Sequence, residues 1–326
     1  MTKKLYKLLG GAFAATLVST SAQAQVGLTI GHVLSNESSY QVAAEKLKEL
    51  VEERTDGEVV IEVYGQGNLG GELRLIQGIR TGAVDMAIIS QASLENTVDE
   101  YRILSLPYLF DSYEQANELL QGDVGQELLD ILPDYGMEGL GWGAIYERSL
   151  ASMVPIEAAG DVDGIKVRLI QSPGYVQAYE ALGAQATPLA YGELFTALQN
   201  RVVDAAELAP DQTVADRFSE IITDYTFSRV HQLPSLLLLS PASASRLNDE
   251  QMEILQQAAT EALQAGIAYH DEMTAKAVDT MREEGIEIHE PDLAEFIEKA
   301  RESWSAIMDD VPNGEALLEM IDSAQD

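Results

Sequence analysis

The chain has no cysteine. That excludes a disulfide framework, a thiolate nucleophile and any zinc site built on sulfur, whichever compartment the protein occupies. Basic residues are scarce: 20 lysines and arginines stand against 54 aspartates and glutamates, a formal charge of −34. Such a surface repels nucleic acid and anionic lipid, so neither is expected as a partner. It does not draw in an anionic solute either, and a site for one would need a local basic focus. The same acidic, lysine-poor composition suits a saline medium, where screening blunts self-repulsion. Linker-like and low-complexity stretches are missing too. With 46% hydrophobic residues over 326 positions, a large core and two compact units are expected rather than disorder.

Catalytic signatures are also missing. No Gly-x-Ser-x-Gly elbow, His-Glu-x-x-His pair or P-loop occurs, which leaves nucleophilic hydrolysis, zinc proteolysis and nucleotide hydrolysis without a handle. The four histidines are scattered. His270-Asp271-Glu272 falls inside a helical stretch, where sequence neighbours point to different faces, so a solvated helix face is expected rather than a metal site. His32, near the end of the first strand, reads as a packed core histidine, with reach into a cleft as the alternative. No enzyme, cofactor or metal is expected.

What is present begins with a leader. Lys3, Lys4 and Lys7 precede an apolar run from Leu8 to Val18, and Ala22-Gln23-Ala24 supplies small residues, the pattern of a secretory signal peptide cut after Ala24. The run is shorter than the roughly 18 apolar residues that span a bilayer. No cysteine follows to carry a lipid, so an exported, soluble protein without direct membrane insertion is expected.

Leu28–Val33 reads as a strand and Tyr40–Thr55 as a helix capped by Ser38 or Ser39. Glu58–Tyr64, Glu72–Thr81 and Val84–Ile89 then alternate strand, helix, strand, the order of a doubly wound parallel sheet. The loop between contains Gly65-x-Gly67-x-x-Gly70, formally a dinucleotide fingerprint. The acid that should end the next strand is absent, since Asp85 stands at its beginning, so the glycines are read as a tight turn. Leu69-Gly70-Gly71-Glu72-Leu73 followed by Val84-Asp85 is echoed by Leu189–Leu194 followed by Val203-Asp204, which suggests two similar lobes.

Ile165, Val167 and Leu169 alternate with Lys166, Arg168 and Ile170, a strand with one apolar face, and Ser172-Pro173-Gly174 breaks it before a helix. An arginine near the carboxyl end of such a strand faces the crevice where open α/β sheets bind ligands, and its planar fork suits a carboxylate. Tyr113–Leu132 reads as a helix ended by Pro133, Leu140–Ile145 as the beginning of a strand that continues apolar over Leu150–Val154, and Leu236–Ser240 as a return strand. Asn248 or Asp249 caps a helix to about Glu284, long enough to brace both lobes, and Pro291-Asp292 starts another through Met308.

Gly164-x-Lys166-x-Arg168-x-x-x-Ser172-Pro173, with Ala181–Ala184, Thr187-Pro188, Gly192–Gln199 and Val203-Asp204 at matching spacing, resembles the DctP-type solute-binding proteins of tripartite ATP-independent periplasmic (TRAP) transporters. The resemblance covers nearly all of the chain after residue 27. It implies an α/β, two-lobed periplasmic-binding-protein fold, with doubly wound sheets, hinge strands and a long bracing helix. Residues 25–146 and 234–273 are expected in lobe I, 147–233 and 274–326 in lobe II, after a signal peptide over 1–24. It implies a periplasmic receptor that closes on a small organic solute and delivers it to membrane permease subunits.

In such proteins the arginine at the position of Arg168 holds the ligand's carboxylate, and one at Arg148 often assists. Glu147 replaces a usual glycine and could pair with Arg148 instead. Leu208 stands where an asparagine commonly bonds the ligand, so Glu207 and Asp211 are candidate contacts to an ammonium or hydroxyl group. Ser90 and Gln91 occupy the matching switch point of the first lobe. A small organic acid is the expected ligand. An amine or zwitterion is the alternative, and a secreted enzyme lacks a nucleophile-and-base pair.

Overall fold

The structure, a computed structural model, describes residues 25–325. The leader and its cleavage site after Ala24 lie outside the described residues. Lobe I is built on β1 (Val26–Gly31), β2 (Val59–Tyr64) and β3 (Met86–Ser90), and β1 pairs in parallel with both neighbours. Lobe II repeats the plan with β5 (Lys166–Leu169), β6 (Gln185–Pro188) and β7 (Ala205–Leu208), where β5 is the central parallel strand.

Two long strands join them. β4 (Glu138–Ser152) and β8 (Asp224–Leu239) pair antiparallel from end to end, β8 meeting β3 in one lobe and β4 meeting β7 in the other. The result is one sheet in the order β2-β1-β3-β8-β4-β7-β5-β6, with β9 (Glu287–His289) added on β8. The strand expected to begin at Leu140, with its apolar continuation to Val154, is thus one strand over Glu138–Ser152. Its register with β8 shifts at Gly139/Gly141, Trp142/Ile145 and Arg148/Leu150. Bulges raise local twist and bend the strand, which lets one ribbon serve two differently oriented lobes. Leu236–Leu239 are buried on both faces, as a near-continuous apolar run in a covered central strand should be.

The long helix runs Asp249–Glu283, and Asn248 closes a capping box with Gln251. At about 1.5 Å per residue its 35 residues reach roughly 50 Å. Leu255, Ala259 and Leu263 join the core of lobe I, whereas Met281 joins a core of lobe II. A Cβ on Gly266 would stand 3.0 Å from the Ser39 carbonyl and 3.1 Å from Ala43 Cβ, so the glycine allows this helix to cross Ser39–Arg54 closely.

Three expectations need correction. The helix over 113–132 is broken at Gly122 into Tyr113–Gln121 and Asp123–Leu129. The helix over 292–308 is broken into Ala294–Arg301 and Trp304–Met308. The tail assigned to lobe II returns to lobe I: Ile307, Val311 and Ile321 belong to its core, and Trp304 Nε1 donates to Pro107 O at 2.9 Å. The amphipathic stripe of the tail helix, Gly314–Gln325, needed an apolar surface, and the core of lobe I supplies it.

Candidate functional site

The lobes meet at a cavity of about 30 Å3, room for little more than a water molecule or two, so the cleft is shut. Lobe I contributes Val33 and Leu34 after β1, Tyr40, Glu72, Ser90 and Ser93. Lobe II contributes Arg148, Arg168, Ile170, Gln171, Leu189 to Tyr191 and Gln212. Most of these lie just beyond the carboxyl ends of β1, β3, β5 and β6, the crevice position for ligands in open α/β sheets.

Arg168 is 1% exposed. Val167 and Leu169 take the apolar face of β5, and alternation turns Arg168 to the other side, where its guanidinium stands 5.7 Å from the Tyr191 ring centre. Nε and Nη2 both donate to the Leu189 carbonyl, at 3.1 and 2.7 Å. That fills one edge of the fork and leaves the Nη1–Nη2 end for a ligand. No carboxylate oxygen lies within 4.0 Å of it among the described residues. Burial, and then the neighbouring Arg148, push its pKa down to about 10, so it remains a cation at neutral pH.

Arg148 reaches the same cavity but is committed to protein partners. Nη1 donates to Gln212 Oε1, Nη2 to the Glu207 carbonyl, and Nε lies 3.9 Å from Glu207 Oε2. Glu147 does not pair with it; Glu147 binds Arg229 at 3.1 Å on the exposed side.

Glu207 and Asp211 lie off this cavity. The register of β5 against β7 sets Arg168 beside Ala206, so alternation sends Glu207 to the opposite face. There its Oε1 meets His231 Nδ1 at 2.7 Å, beneath the stacked Tyr175 ring. Asp211 turns to the long helix and meets His270 Nδ1 at 2.8 Å. His270 is thus not on a solvated face: it is 3% exposed, with its ring centre 4.4 Å from that of Tyr146. Burial opposes charge on this imidazole, but Asp211 outweighs it and holds the pKa above the usual range. With Glu207 and Asp211 turned away, the amine alternative loses the two residues that favoured it.

Ser90 lines the cavity, and both its N–H and hydroxyl donate to Glu72, each at 2.7 Å. Gln91 begins the short helix after β3 and points away, towards Leu104 O and Ser105 Oγ. Sequence reasoning missed Glu72, Tyr40 and Tyr191. Glu72 opens the helix Glu72–Thr81 and accepts a further 2.5 Å bond from Ser93 Oγ. Burial raises its pKa against these donors and the distant pull of Arg168. Gly71-Glu72-Leu73 marks a repeat, and an acid on the first turn after a glycine loop is itself a signal of such a group.

A profile of the bacterial extracellular solute-binding proteins, family 7 (DctP), matches residues 30–310. The chain belongs to this family. A solute-binding protein of Roseobacter denitrificans is 33% identical over 76% of each chain. The 2,3-diketo-L-gulonate-binding periplasmic protein of Escherichia coli strain K12 is 28% identical over 94% of each. Among solved structures, a TRAP periplasmic solute-binding protein of Chromohalobacter salexigens with bound D-glucuronate superposes with a TM-score of 0.88 at 27% identity, covering 91% of this chain and 99% of that one. The DctP resemblance read from the Arg168 strand is thereby shown, as is the two-lobed fold.

Away from the cavity lining of this DctP-family protein, lobe I also grips the turn that follows Arg168. Glu95, fully buried, accepts from Ser172 Oγ at 2.8 Å, Gly174 N at 3.0 Å and Ser105 Oγ. Burial drives its carboxyl up to about 7 despite those donors. The folded protein therefore holds a proton between about pH 4.5 and 7, where the unfolded chain has lost it. Stability from this group is full at the acid end of that window, falls as pH rises through it, and is level above. Glu95→Gln keeps the shape, and Ser105 can reverse its hydroxyl to accept from the amide. We expect the melting temperature of the wild type relative to Glu95→Gln to decline with rising pH up to about 7 and then hold constant. Scanning calorimetry at several pH values would show it; a difference independent of pH would refute the assignment.

Proposed function

We propose that the protein is the extracytoplasmic receptor of a TRAP transporter and that its ligand is a hydroxylated monocarboxylate of the sugar-acid class. The observation that carries this reading is Arg168, a buried cation on the cavity wall with no carboxylate partner among the described residues. A buried charge is tolerated only where a counter-charge or strong hydrogen bonds meet it, and a ligand carboxylate provides both. Glu72, on the facing wall, favours ligand hydroxyls as donors and disfavours a second carboxylate. The relatives named for 2,3-diketo-L-gulonate and D-glucuronate support the same class. After export and cleavage at Ala24, the receptor would open, take the acid on Arg168, close, and present it to the permease in the periplasmic space. Closure follows from the ligand's greater affinity for the shut form.

A thermal-shift series tests the class. A ligand at 100 times its Kd stabilises by about 2.7 kcal/mol, roughly 4 °C for a chain of this size. D-glucuronate should give such a rise, whereas D-glucose, succinate and glycine betaine should not. A rise with betaine alone would restore the amine reading.

A further inference from the structure

The Arg168 wall is tied to the opposite lobe through a carboxylate that belongs to neither the cavity nor a core. Asp216 caps the carboxyl end of the helix Pro210–Ala215 in lobe II. Its Oδ2 accepts from the Tyr191 hydroxyl at 2.5 Å, and the Tyr191 ring lies under the Arg168 guanidinium. Its Oδ1 accepts from the backbone N–H of Ser35, 181 positions away in lobe I, at 3.1 Å. Ser35 is no loose loop tip: its carbonyl takes the Ser38 hydroxyl at 2.7 Å, and Ser38 caps the helix that carries Tyr40 into the cavity. An unbroken line of contacts thus runs Arg168, Tyr191, Asp216, Ser35.

We infer that Asp216 is the clasp of the closed receptor, a positioning residue that joins the arginine wall to lobe I through Tyr191 and Ser35. The chemistry suits the task. One carboxylate oxygen is held within lobe II and the other crosses the cleft, so opening would break one of the bonds to Asp216 and leave the other holding Tyr191 in place. A bond made only in the shut form slows ligand escape and leaves entry alone, because entry occurs in the open form. The ligand-bound half of this inference rests on the proposed capture of a sugar acid; the clasp itself is a statement about the lobes.

The chain lacks cysteine, so a single pair of spin labels can be placed on full-length mature protein at Gln77→Cys in lobe I and Thr196→Cys in lobe II, both exposed. Distances by pulsed electron resonance then report closure, without ligand and with D-glucuronate. The closed separation, calculated from this structure, should be populated in otherwise wild-type protein and depleted in Asp216→Ala. Tyr191→Phe, which keeps the ring, should deplete it less, and adding it to Asp216→Ala should change little further. In stopped flow, D-glucuronate should leave Asp216→Ala about tenfold faster with an unchanged association rate. A merely structural role would lower the melting temperature without dividing the two rates in this way. The clasp is overturned if the variants keep the closed separation, if dissociation is unchanged, or if the closed separation is absent from wild type under both conditions. Failure of the sugar-acid reading looks different: D-glucuronate then alters no distance in wild type, while Asp216→Ala still depletes the closed separation.

Discussion

Arg168→Ala should remove nearly all affinity for the carboxylate ligand while leaving the free protein folded. Loss of one partner from a buried charged pair costs roughly 2–5 kcal/mol, a weakening of about 30- to 5,000-fold. The free receptor should tolerate the change because, among the described residues, the guanidinium has no carboxylate partner to strand and bonds the Leu189 carbonyl instead. Removing an unneutralised buried cation relieves a desolvation penalty that offsets part of the lost packing. Arg168→Lys should fall between, since an ammonium keeps the charge but cannot hold Leu189 O along one edge and a ligand along another. Calorimetric titration of both variants with D-glucuronate, beside their ligand-free melting curves, checks the pairing of outcomes. Wild-type affinity in Arg168→Ala would defeat the assignment of this residue.

Glu207→Ala should show the reverse pattern. Glu207 is 1% exposed and meets two buried cationic or polar partners, Arg148 and His231. Deleting it leaves His231 without its acceptor and Arg148 without its counter-charge, although Arg148 keeps Gln212 Oε1 and the Glu207 backbone carbonyl, and breaking a buried pair from one side costs about 3–5 kcal/mol. For a chain this long that is a fall of roughly 5–8 °C in melting temperature. Glu207→Gln, which still offers His231 an acceptor, should fall less. Affinity measured well below the transition should drop less than in Arg168→Ala, because Glu207 stands behind the cavity wall. A stable Glu207→Ala protein with selectively lost binding would instead return the residue to the ligand.

The contrast between these two residues shows what the sequence could and could not convey. Strand alternation and the Pro173 break were visible in the chain, and they placed Arg168 on the crevice side of β5. The same alternation applied to Glu207 required knowing which residue of β7 stands beside Arg168, and register between strands 38 positions apart is a tertiary fact. Leu69–Leu73 revealed a repeated helix start, yet nothing local said that Ser90 and Ser93 would converge on Glu72. His270 followed the same rule: its helix was legible, but the burying partners, Tyr146 and Asp211, come from β4 and from beyond β7. Breaks at Gly122 and around residue 302 were missed because apolar spacing carries on across them while backbone packing does not. At Gly125, a Cβ would come within 1.8 Å of the Leu120 carbonyl.

The sheet that runs unbroken through β4 and β8 bears on how such receptors change their diet. Neither half is a contiguous length of polypeptide, and the seams between halves fall inside paired strands and midway along a helix. A half transplanted from a cousin would arrive with its junctions in the middle of a ladder. New preferences must therefore come by piecemeal exchange of the side chains and short turns that rim the crevice, while the ribbon beneath them is inherited whole.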